Sequence, residues 1–354
     1  MPAERLALEP APPADDAALE ERLSLPSAAV LDAFRRCPGD VLVLGAGGKM
    51  GPSLARMAHR AATALVDEGS AARRVIAVSR FSSPHAEAEL RAHGIETIAA
   101  DLGDAGALAS LRDAPNVVYM AGQKFGTSDL PSLTWVANTV MPARVGERFA
   151  GSRIVAFSTG NVYPLTPVEG PGSREDDALT PIGEYANSCV GRERVLEHLS
   201  RTRGTPLALV RLSYAVDLRY GVLVDIALRV AAGEPVDVGM SRVNVIWQGD
   251  ANAQALASLA HASSPPFVVN VTGPERLHVR SVAERLGRRL GRPARIVGEE
   301  GPDALLSDTS RAVSLFGKPS IPADVLIDWV ADWVRHGGTT LAKPTHFETR
   351  DGRF

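Results

Sequence analysis

The sequence predicts an α/β protein in which a doubly wound parallel sheet is followed by a smaller C-terminal α/β lobe. Short apolar runs rich in β-branched residues alternate with amphipathic stretches up to residue 213. The first of these runs ends in a glycine-rich turn, "GAGGKMG", and the pattern breaks into shorter pieces beyond residue 214. Strands that alternate with helices indicate parallel strands joined by right-handed crossovers. A chain of 354 residues is long enough for one large domain with an added lobe.

Six runs have strand character, because each is short, apolar and bounded by helical or turn-forming stretches. They cover residues 40–45, 74–80, 95–100, 116–122, 152–158 and 207–213. We expect these strands to be buried on both faces, since helices cover both sides of a parallel sheet. A polar, proline-rich leader and a helix at 26–36 precede them, and later helices are predicted at 131–150 and 184–203.

The last part of the chain predicts a lobe that closes over the carboxyl ends of the strands. Helices are expected near 220–232, 250–262, 278–291 and 322–336, with extended runs at 241–249 and 266–273. The predicted division is an N-terminal extension with one helix at 1–39, a sheet domain at 40–213, a lobe at 214–337 and a C-terminal tail at 338–354.

Composition argues against several classes of partner. The 38 Lys and Arg residues against 41 Asp and Glu residues give a net charge of −3, and no basic block follows a predicted helix, so nucleic acid is not expected. The apolar runs are too short to span a membrane. The two cysteines, Cys37 and Cys189, have no Cys or His neighbour at metal-ligand spacing. We therefore expect no metal site and a reducing, cytoplasmic location.

The glycine-rich turn predicts a dinucleotide cofactor. Gly45, Gly48 and Gly51 fit the pattern G-x-x-G-x-x-G between a strand and an amphipathic helix. Glycines allow a tight turn and a close approach to a pyrophosphate, and the helix N-terminus then binds the phosphates. The alternative is a plain glycine-rich turn. We predict that Gly45, Gly48, Lys49, Met50 and Gly51 bind the cofactor, and that residues 40–213 form a dinucleotide-binding domain.

The end of the second strand favours NADP over NAD. An NAD-selective site usually has a carboxylate at this point, where it accepts a hydrogen bond from the ribose 2′-hydroxyl. Here the chain has Ser79 and Arg80. A serine does not repel a 2′-phosphate and a guanidinium can bind it with two hydrogen bonds. The alternative is that Arg80 is only a solvated strand end.

Further motifs extend this pattern. They are "ADLGD" with Asp101 and Leu102, "MAG" with Ala121 and Gly122, "WVANTVMPA" with Asn138, "FSTGNVYP" with Thr159 and Tyr163, and "GEYANSC" with Tyr185. In this order, over residues 40–335, the chain resembles the extended short-chain dehydrogenase/reductase family of NAD(P)-dependent epimerases and dehydratases. The resemblance implies a Rossmann-type fold and a substrate-binding lobe. It implies cofactor contacts at Asp101, Leu102, Ala121 and Gly122, a substrate-orienting hydroxyl on Thr159 and a catalytic tyrosine at Tyr185.

The chain also departs from that family. The family's lysine four residues after the tyrosine is Cys189 here, and its asparagine three residues after Arg211 is Tyr214, whereas Asp250 matches an aspartate of its lobe. In the family mechanism the lysine lowers the pKa of the tyrosine. Moving a phenol from about 10 to about 7 takes roughly 4 kcal/mol, which a neutral thiol cannot supply. The deficit falls mainly on alcohol oxidation, because a protonated tyrosine still serves as the acid in carbonyl reduction.

Lys124 is the candidate for the missing charge. It is one of only four lysines and follows the fourth strand in "AGQKFG", a region that lines the nicotinamide side in the family. A solvated loop lysine is the alternative, and Arg192 lies on the same helical face as Tyr185 but two turns away.

We therefore expect an NAD(P)-dependent oxidoreductase or epimerase/dehydratase-like enzyme that acts on a sugar, a sugar acid or a similar small molecule, with Tyr185 as acid/base. The alternative is a sensor or scaffold that binds NAD(P) without turnover. A homodimer through the helices at 131–150 and 184–203 is also expected, with Val190, Val195 and Leu196 as interface or core residues.

Overall fold

The computed structural model describes residues 11–82, 84–124 and 129–353. The first ten residues of the predicted N-terminal extension and the last residue of the predicted tail lie outside these ranges, as do four residues that follow Lys124. Most of the predicted elements fall inside them.

The first half of the chain alternates strands with helices. Its elements are α1 (Asp16–Leu23), α2 (Ala28–Arg36), β1 (Val41–Leu44), α3 (Gly51–Asp67), β2 (Val75–Ser79), α4 (Pro84–Ala92), β3 (Glu96–Ala99), α5 (Ala105–Ser110), β4 (Asn116–Tyr119), α6 (Pro131–Trp135), α7 (Met141–Arg148), β5 (Arg153–Thr159) and β6 (Thr166–Pro167). A π-helical turn (Val136–Val140) joins α6 to α7, and a 3₁₀ turn (Gly160–Val162) follows β5.

The second half consists mostly of shorter pieces after one long helix. Its elements are α8 (Gly183–Arg203), β7 (Leu207–Leu212), β8 (Ala215–Val216), α9 (Val222–Ala232), β9 (Pro235–Asp237), β10 (Arg242–Asn244), β11 (Ile246–Trp247), α10 (Gln248–Ala257), β12 (Phe267–Val271), β13 (Arg276–His278), α11 (Val279–Leu290), β14 (Arg295–Val297), β15 (Asp303–Ala304), α12 (Ser310–Phe316) and α13 (Ala323–Arg335).

Seven parallel strands form the central sheet, in the order β12-β7-β5-β4-β1-β2-β3. The predicted fold class is confirmed, and the six predicted strands are β1 to β5 and β7. Chain order reverses between β1 and β4, which is the switch point where sheets of this type bind ligands at the carboxyl ends of their strands. Helices cover both faces, because alternate residues of one strand point to opposite sides. Val41 and Val43 join one core, whereas Leu42 and Leu44 join the other.

Part of the chain beyond residue 214 lies in the central sheet. The strand predicted at 266–273 is β12, and it pairs with β7 to complete the central sheet instead of joining the lobe. Helix α10 likewise packs on α2 and α3, beside the sheet. The chain therefore leaves the sheet after β7 and returns to it, a long-range pairing that local apolar pattern does not reveal.

The lobe has a hydrophobic core of its own. Helices α9, α11 and α13 pack together there, and the Trp247 and Trp329 rings meet edge to face at 5.8 Å. Leu19 and Leu23 of α1 are fully buried in this core. Helix α1 was not predicted, because only these two leucines interrupt a polar stretch. The N-terminal extension is therefore part of the packed molecule, with α1 in the lobe and α2 against the sheet.

The C-terminal tail runs over this lobe without helix or strand in its described residues, 338–353. It is nevertheless anchored, since Phe347 is buried in the lobe core and the Leu341 N–H donates to the Arg219 carbonyl at 3.0 Å. Within the described ranges, no helix has the length and apolar character needed to cross a bilayer.

Candidate active site

The glycine-rich loop between β1 and α3 is held tightly at the carboxyl edge of the sheet. Gly45 has a φ of +96°, and a side chain there would approach the backbone nitrogen of Ala121 to 2.7 Å. Glycine is required on both counts. Gly51 is the first residue of α3, so the loop leads directly into a helix N-terminus, whose free N–H groups suit a phosphate.

A cleft of about 520 Å³ lies beside this loop and crosses the ends of β1 to β4. Eight of the predicted cofactor residues line it: Gly45, Gly48, Ser79, Arg80, Asp101, Leu102, Ala121 and Gly122. The size is in the ordinary range for a ligand pocket, and the backbone of the glycine loop forms one wall. These residues therefore fit a dinucleotide. Gly47 and Phe81 also line the cleft, although the sequence analysis did not single them out.

Lys49 and Met50 do not line this cleft, although they were predicted with the glycines as cofactor-binding residues. Both line a second cavity, of about 150 Å³, on the other side of the loop. The Lys49 ammonium lies 3.4 Å from the centre of the Tyr220 ring and 3.5 Å from the Ala215 carbonyl oxygen. Adjacent loop residues point in opposite directions, so the glycine spacing alone could not separate the two cavities.

The three predicted catalytic residues meet in this second cavity, called the substrate pocket below. Thr159 ends β5, Tyr185 lies in the first turn of α8, and Lys124 follows β4. The pocket and the cleft meet along two loops. In the glycine loop, Gly48 lines the cleft and Lys49 lines the pocket. In the loop after β4, Gln123 lines the cleft and Lys124 lines the pocket. A residue in either loop can therefore act on both cavities.

The pKa of Tyr185 lies well above the ordinary value for a phenol. Burial is the main cause, and Cys189 adds to it, whereas Arg192 and a hydrogen bond with Thr159 act in the opposite direction. Thr159 Oγ1 also donates to Asn161 Oδ1 at 3.0 Å, which holds it in place. Tyr185 is therefore protonated at neutral pH and can donate a proton to a substrate oxygen.

Cys189 is a packing residue in this structure. It is fully buried in a small apolar cluster with Val162 and Tyr163 beneath Tyr185. Burial raises the pKa of its thiol, so it stays neutral. The family's lysine position is therefore occupied by an uncharged side chain.

Arg192 brings a fixed positive charge under Tyr185. Its guanidinium is buried and donates to the Phe157 carbonyl and to Asn138 Oδ1, both at 2.7 Å. Gly122 makes room for it, since a side chain there would approach the guanidinium to 2.6 Å. Two helical turns separate Arg192 from Tyr185 along α8, yet its charge still lowers the pKa of the phenol.

The π-helical turn between α6 and α7 carries Asn138. Its amide accepts from the Gln123 N–H at 2.9 Å and donates to the Gln123 carbonyl at 2.8 Å and to Ser188 Oγ at 3.0 Å. Asn138 therefore ties the loop after β4 to helix α8. Such turns are frequent at functional sites, because the wider helix redirects a side chain.

Lys124 is placed where it can influence Tyr185. Its ammonium lies 6.0 Å from the centre of the Tyr185 ring and donates to the Thr345 carbonyl at 3.3 Å. Burial lowers the pKa of Lys124 to about 8. It is thus a partly buried lysine that lines the pocket.

The C-terminal tail closes one side of the substrate pocket, which the sequence did not reveal. Thr345 lines the pocket, and its N–H and hydroxyl donate to Asp225 Oδ2 at 2.8 and 2.6 Å. Glu348 pairs with Arg229 at 2.6 Å. These partners lie more than a hundred positions away in sequence, and a polar stretch gives no periodic signal for them.

A buried ion pair fixes the floor of the site. Arg211 of β7 contacts Glu193 of α8 at 2.7 Å and donates to the Tyr163 hydroxyl at 2.6 Å, while Ser158 donates to Glu193 at 2.5 Å. The Tyr163 hydroxyl is therefore engaged in holding Arg211 in place, which is a structural role. The sequence analysis named Arg211 and Tyr163 as motif positions but missed their link through Glu193.

Two other family positions have structural roles here. Tyr214 lines the pocket with a φ of +44°, a conformation that asparagine tolerates better than a bulky residue. Asp250 lies away from the pocket and accepts from the Ser320 N–H at 2.8 Å. No group of three or more His, Cys, Asp and Glu side chains in the described residues could hold a metal ion.

The fold matches solved structures of sugar nucleotide enzymes. A UDP-glucose 4-epimerase from Thermotoga maritima, solved with UDP-glucose, is 18% identical, with a TM-score of 0.67 over 84% of this chain and 99% of its own. The dTDP-glucose 4,6-dehydratase DesIV from Streptomyces venezuelae, solved with NAD, is 20% identical, with a TM-score of 0.69 over 84% and 97%. The chain shares the fold of these enzymes.

A third structure extends the comparison. The UDP-glucuronic acid 4-epimerase from Bacillus cereus, in complex with NAD, is 15% identical, with a TM-score of 0.67 over 84% of this chain and 96% of its own. The sequence matches no protein-family model and no curated protein. At these identities the comparison confirms the fold that the resemblance implied, and the chemistry must be argued from the site.

Proposed function

We propose that this chain is an NAD(P)-dependent oxidoreductase of the epimerase/dehydratase type, in the extended short-chain dehydrogenase/reductase family, that acts on a sugar, a sugar acid or a similar polyhydroxylated small molecule. One observation carries the proposal: Thr159 and Tyr185 line a single pocket next to a cleft walled by the glycine loop. A sensor has no need of a hydroxyl beside a buried tyrosine at the site where a substrate oxygen would lie.

The cleft residues would hold the cofactor. Gly45, Gly48 and the N-terminus of α3 would bind the pyrophosphate, with Asp101 and Leu102 at the adenine and Ala121 and Gly122 nearer the nicotinamide. When bound, the nicotinamide dinucleotide supplies hydride transfer. Ser79 and Arg80 line the cleft at the end of β2. The end of this strand carries a serine and an arginine in place of the carboxylate of an NAD-selective site, which supports NADP as the preferred cofactor.

Tyr185 would transfer the proton. Because burial keeps it protonated, it is better suited to reduction of a carbonyl than to oxidation of an alcohol. Thr159 would orient the substrate oxygen. Lys124 and Arg192 would supply the positive charge that the family's lysine provides and Cys189 does not. Lys124 lies in the loop after β4, and Arg192 lies on α8.

The test is turnover by a Tyr185→Phe variant. Removing only the phenol oxygen should lower turnover at least about a hundredfold while cofactor affinity, measured by NAD(P)H fluorescence, stays within about twofold. Cys189→Ala serves as the matched control on the same face of α8 and should be mild. A Tyr185→Phe variant with wild-type turnover would remove the tyrosine from the mechanism.

The alternative is a sensor or scaffold that binds NAD(P) without turnover. The observation in its favour is the neutral, fully buried Cys189 below a tyrosine whose pKa is raised. The two functions are separated by one assay of cofactor fluorescence with a panel of sugars and keto acids. Cofactor binding with no oxidation or reduction of any compound would favour the sensor.

A homodimer is proposed through helices α6 and α8. Leu130, Leu133, Val136 and Val140 form an apolar stripe at helical spacing, with 54, 52, 48 and 40% of their surfaces exposed. Of the three residues considered from the sequence as interface or core, Leu196 is buried in the sheet core, and Val190 and Val195 pack partly against buried clusters. A cytoplasmic location is proposed as well, supported by two buried cysteines that are not paired.

A further inference from the structure

The charges on the wall of the substrate pocket are all of one sign. Among the described residues that line it, the only basic side chains are Lys49 and Lys124, and no carboxylate lines it. These are two of only four lysines in the chain. A concave site that presents two ammonium groups and no acid concentrates an anionic ligand.

Lys49 is not neutralised by the protein. Within the described ranges its ammonium contacts the Ala215 carbonyl and the Tyr220 ring, and it makes no ion pair. The two nearest acids have other partners, because Asp217 pairs with Arg219 at 3.2 Å and Asp225 accepts from Thr345. Burial of this group lowers its pKa to about 7. A charge taken out of water without a partner is costly, and a ligand carboxylate would offset that cost.

A second group in the pocket also lacks a partner. Ser213 lines the pocket, but its hydroxyl oxygen is shielded from it, lies against Gly160 and has no hydrogen-bond partner among the described residues. An orphaned buried hydroxyl costs about 1–3 kcal/mol.

The size of the pocket limits the ligand. A cavity of about 150 Å³ is below the usual range for drug-sized ligands and suits a molecule on the order of ten non-hydrogen atoms. The tail prevents any extension on the far side, because Thr345 is fixed to Asp225 and Phe347 is buried. Beyond Leu305 and Tyr214 lies a cavity of about 30 Å³, walled by His346 and Arg350. Within the described residues, the pocket is therefore smaller than a site for a nucleoside diphosphate would be.

We propose that the substrate pocket binds a small hydroxy or keto acid, not a sugar nucleotide, with its carboxylate held by Lys49 and Lys124. The inference rests on the proposed function for its catalytic residues, since Tyr185 and Thr159 then face the remaining carbonyl or hydroxyl group. It names the substrate class of that same site.

The experiment compares acids with neutral partners of the same shape. Binding to the full chain is measured by calorimetry at near-neutral pH for glycerate and gluconate, for the neutral glycerol and glucose, for inorganic phosphate and for UDP-glucose. We expect each acid to bind at least about tenfold more tightly than its neutral partner, a difference of about 1.4 kcal/mol. Neutral compounds that bind as well as the acids, or no binding by any acid, would overturn the proposal. Tighter binding of phosphate or of UDP-glucose would also overturn it.

The Lys49→Met variant then locates the carboxylate. It keeps the length of the side chain and removes the charge, so acid binding should fall at least about tenfold while the neutral compounds are unaffected. Lys318→Met is the control, because Lys318 is exposed and does not line the pocket. Unchanged acid binding in Lys49→Met would overturn the assignment. The comparison of acids with neutral compounds in the unaltered chain does not depend on the folding of this variant.

The proposal and the proposed function fail in different ways. Turnover of neutral sugars that is unaffected by Lys49→Met would overturn the acid site and leave the oxidoreductase in place. Acid binding that depends on Lys49, in a chain that neither binds nor oxidises NAD(P)H, would leave the acid site and overturn the oxidoreductase.

Discussion

At the scale of single residues, the charges around Tyr185 are arranged differently from the pattern of the family that the sequence resembles. Position 189 is filled by a neutral thiol that shares an apolar cluster with the tyrosine. The Lys124 ammonium lies 6.0 Å from the centre of the tyrosine ring, and the charge of Arg192 lowers the pKa of the phenol. Arg192 also holds the backbone at Phe157 and Asn138, so its removal would disturb the site as a whole. Lys124 is therefore the residue on which the electrostatic role can be tested.

Lys124→Met should lower alcohol oxidation more than carbonyl reduction. Oxidation needs the phenolate, which a nearby ammonium stabilises, whereas reduction starts from the phenol that burial already favours. We expect oxidation to fall about tenfold or more and reduction about threefold or less. The ratio of the rates at saturating substrate in the two directions measures this, because a lost carboxylate contact at Lys124 would raise the KM in both directions and leave that ratio unchanged. Lys343→Met, in an exposed lysine of the tail, is the control. Equal losses of the saturated rates in both directions would mean that Lys124 has only a positional role.

Arg80→Ala should weaken NADP(H) more than NAD(H). The guanidinium lines the cleft at the end of β2, where the 2′-phosphate would lie, and a charge-assisted pair of hydrogen bonds is worth about 1.5–3 kcal/mol. We expect the dissociation constant of NADPH to rise about tenfold and that of NADH to change less than about twofold. Fluorescence titration measures both, and Arg335→Ala, on α13, is the control. A wild-type preference for NADH would contradict the assignment.

Local sequence pattern placed several of the predicted site residues at the carboxyl edge of the sheet, where the structure has them. Thr159, Tyr185 and the glycines follow strand ends or begin helices, and those boundaries are set by short-range apolar spacing. Lys49 was misplaced, because the sequence shows that it lies in the glycine loop but not which side of that loop it faces. Arg192 was set aside on distance along its helix, yet the side chain is long enough to reach beneath the tyrosine.

At the scale of elements, the sequence predicted the strands of the central sheet accurately but did not reveal that the C-terminal tail lines the substrate pocket. Buried parallel strands are continuous apolar runs, which explains why β1 to β5 and β7 were found within a few residues. The sequence also predicted strand β12, but not that it pairs with β7, since strand pairing is decided by tertiary packing. The tail could not be predicted at all, because it is fixed by contacts such as Thr345 with Asp225 and by one buried phenylalanine.

The exposed apolar stripe of Leu130, Leu133, Val136 and Val140 makes a prediction at this scale. Four apolar residues exposed at helical spacing are what a helix-mediated dimer would bury, and a carboxylate in their middle opposes that burial. Leu133→Asp should convert a dimer into a monomer at micromolar concentration without changing the thermal midpoint of the monomer by more than a few degrees. Light scattering measures the mass, and Leu315→Asp on α12 is the control. A wild-type monomer, or a Leu133→Asp dimer, would count against this interface.

At the scale of the whole molecule, the lysines of the substrate pocket lower the stability of the folded chain. The sheet core and the lobe core are each well packed, and helix α1 and the tail fasten the lobe. Between them the chain keeps two partly buried lysines, Lys49 and Lys124, whose pKa values fall to about 7 and about 8, chiefly through desolvation. Sites built to receive a charged ligand commonly carry such a cost in the absence of the ligand.

The cost at Lys49 should be visible in the pH dependence of stability. Below about pH 7 this lysine is charged in both states, and its desolvation opposes folding. Between about pH 7 and pH 10.5, the ordinary pKa of a lysine, the unfolded chain holds a proton that the folded chain lacks, so stability rises with pH across that window.

The Lys49→Met variant removes this pH dependence. After a discount for partial exposure, we expect the variant to exceed the unaltered chain by about 1–3 kcal/mol near pH 7 and to match it near pH 10, as measured by urea unfolding. A constant gap at every pH, or a less stable variant at pH 7, would show that Lys49 is not desolvated in the folded chain. If an acid of the inferred class binds at Lys49, its addition should stabilise the unaltered chain but not the variant, and so should narrow the gap at pH 7.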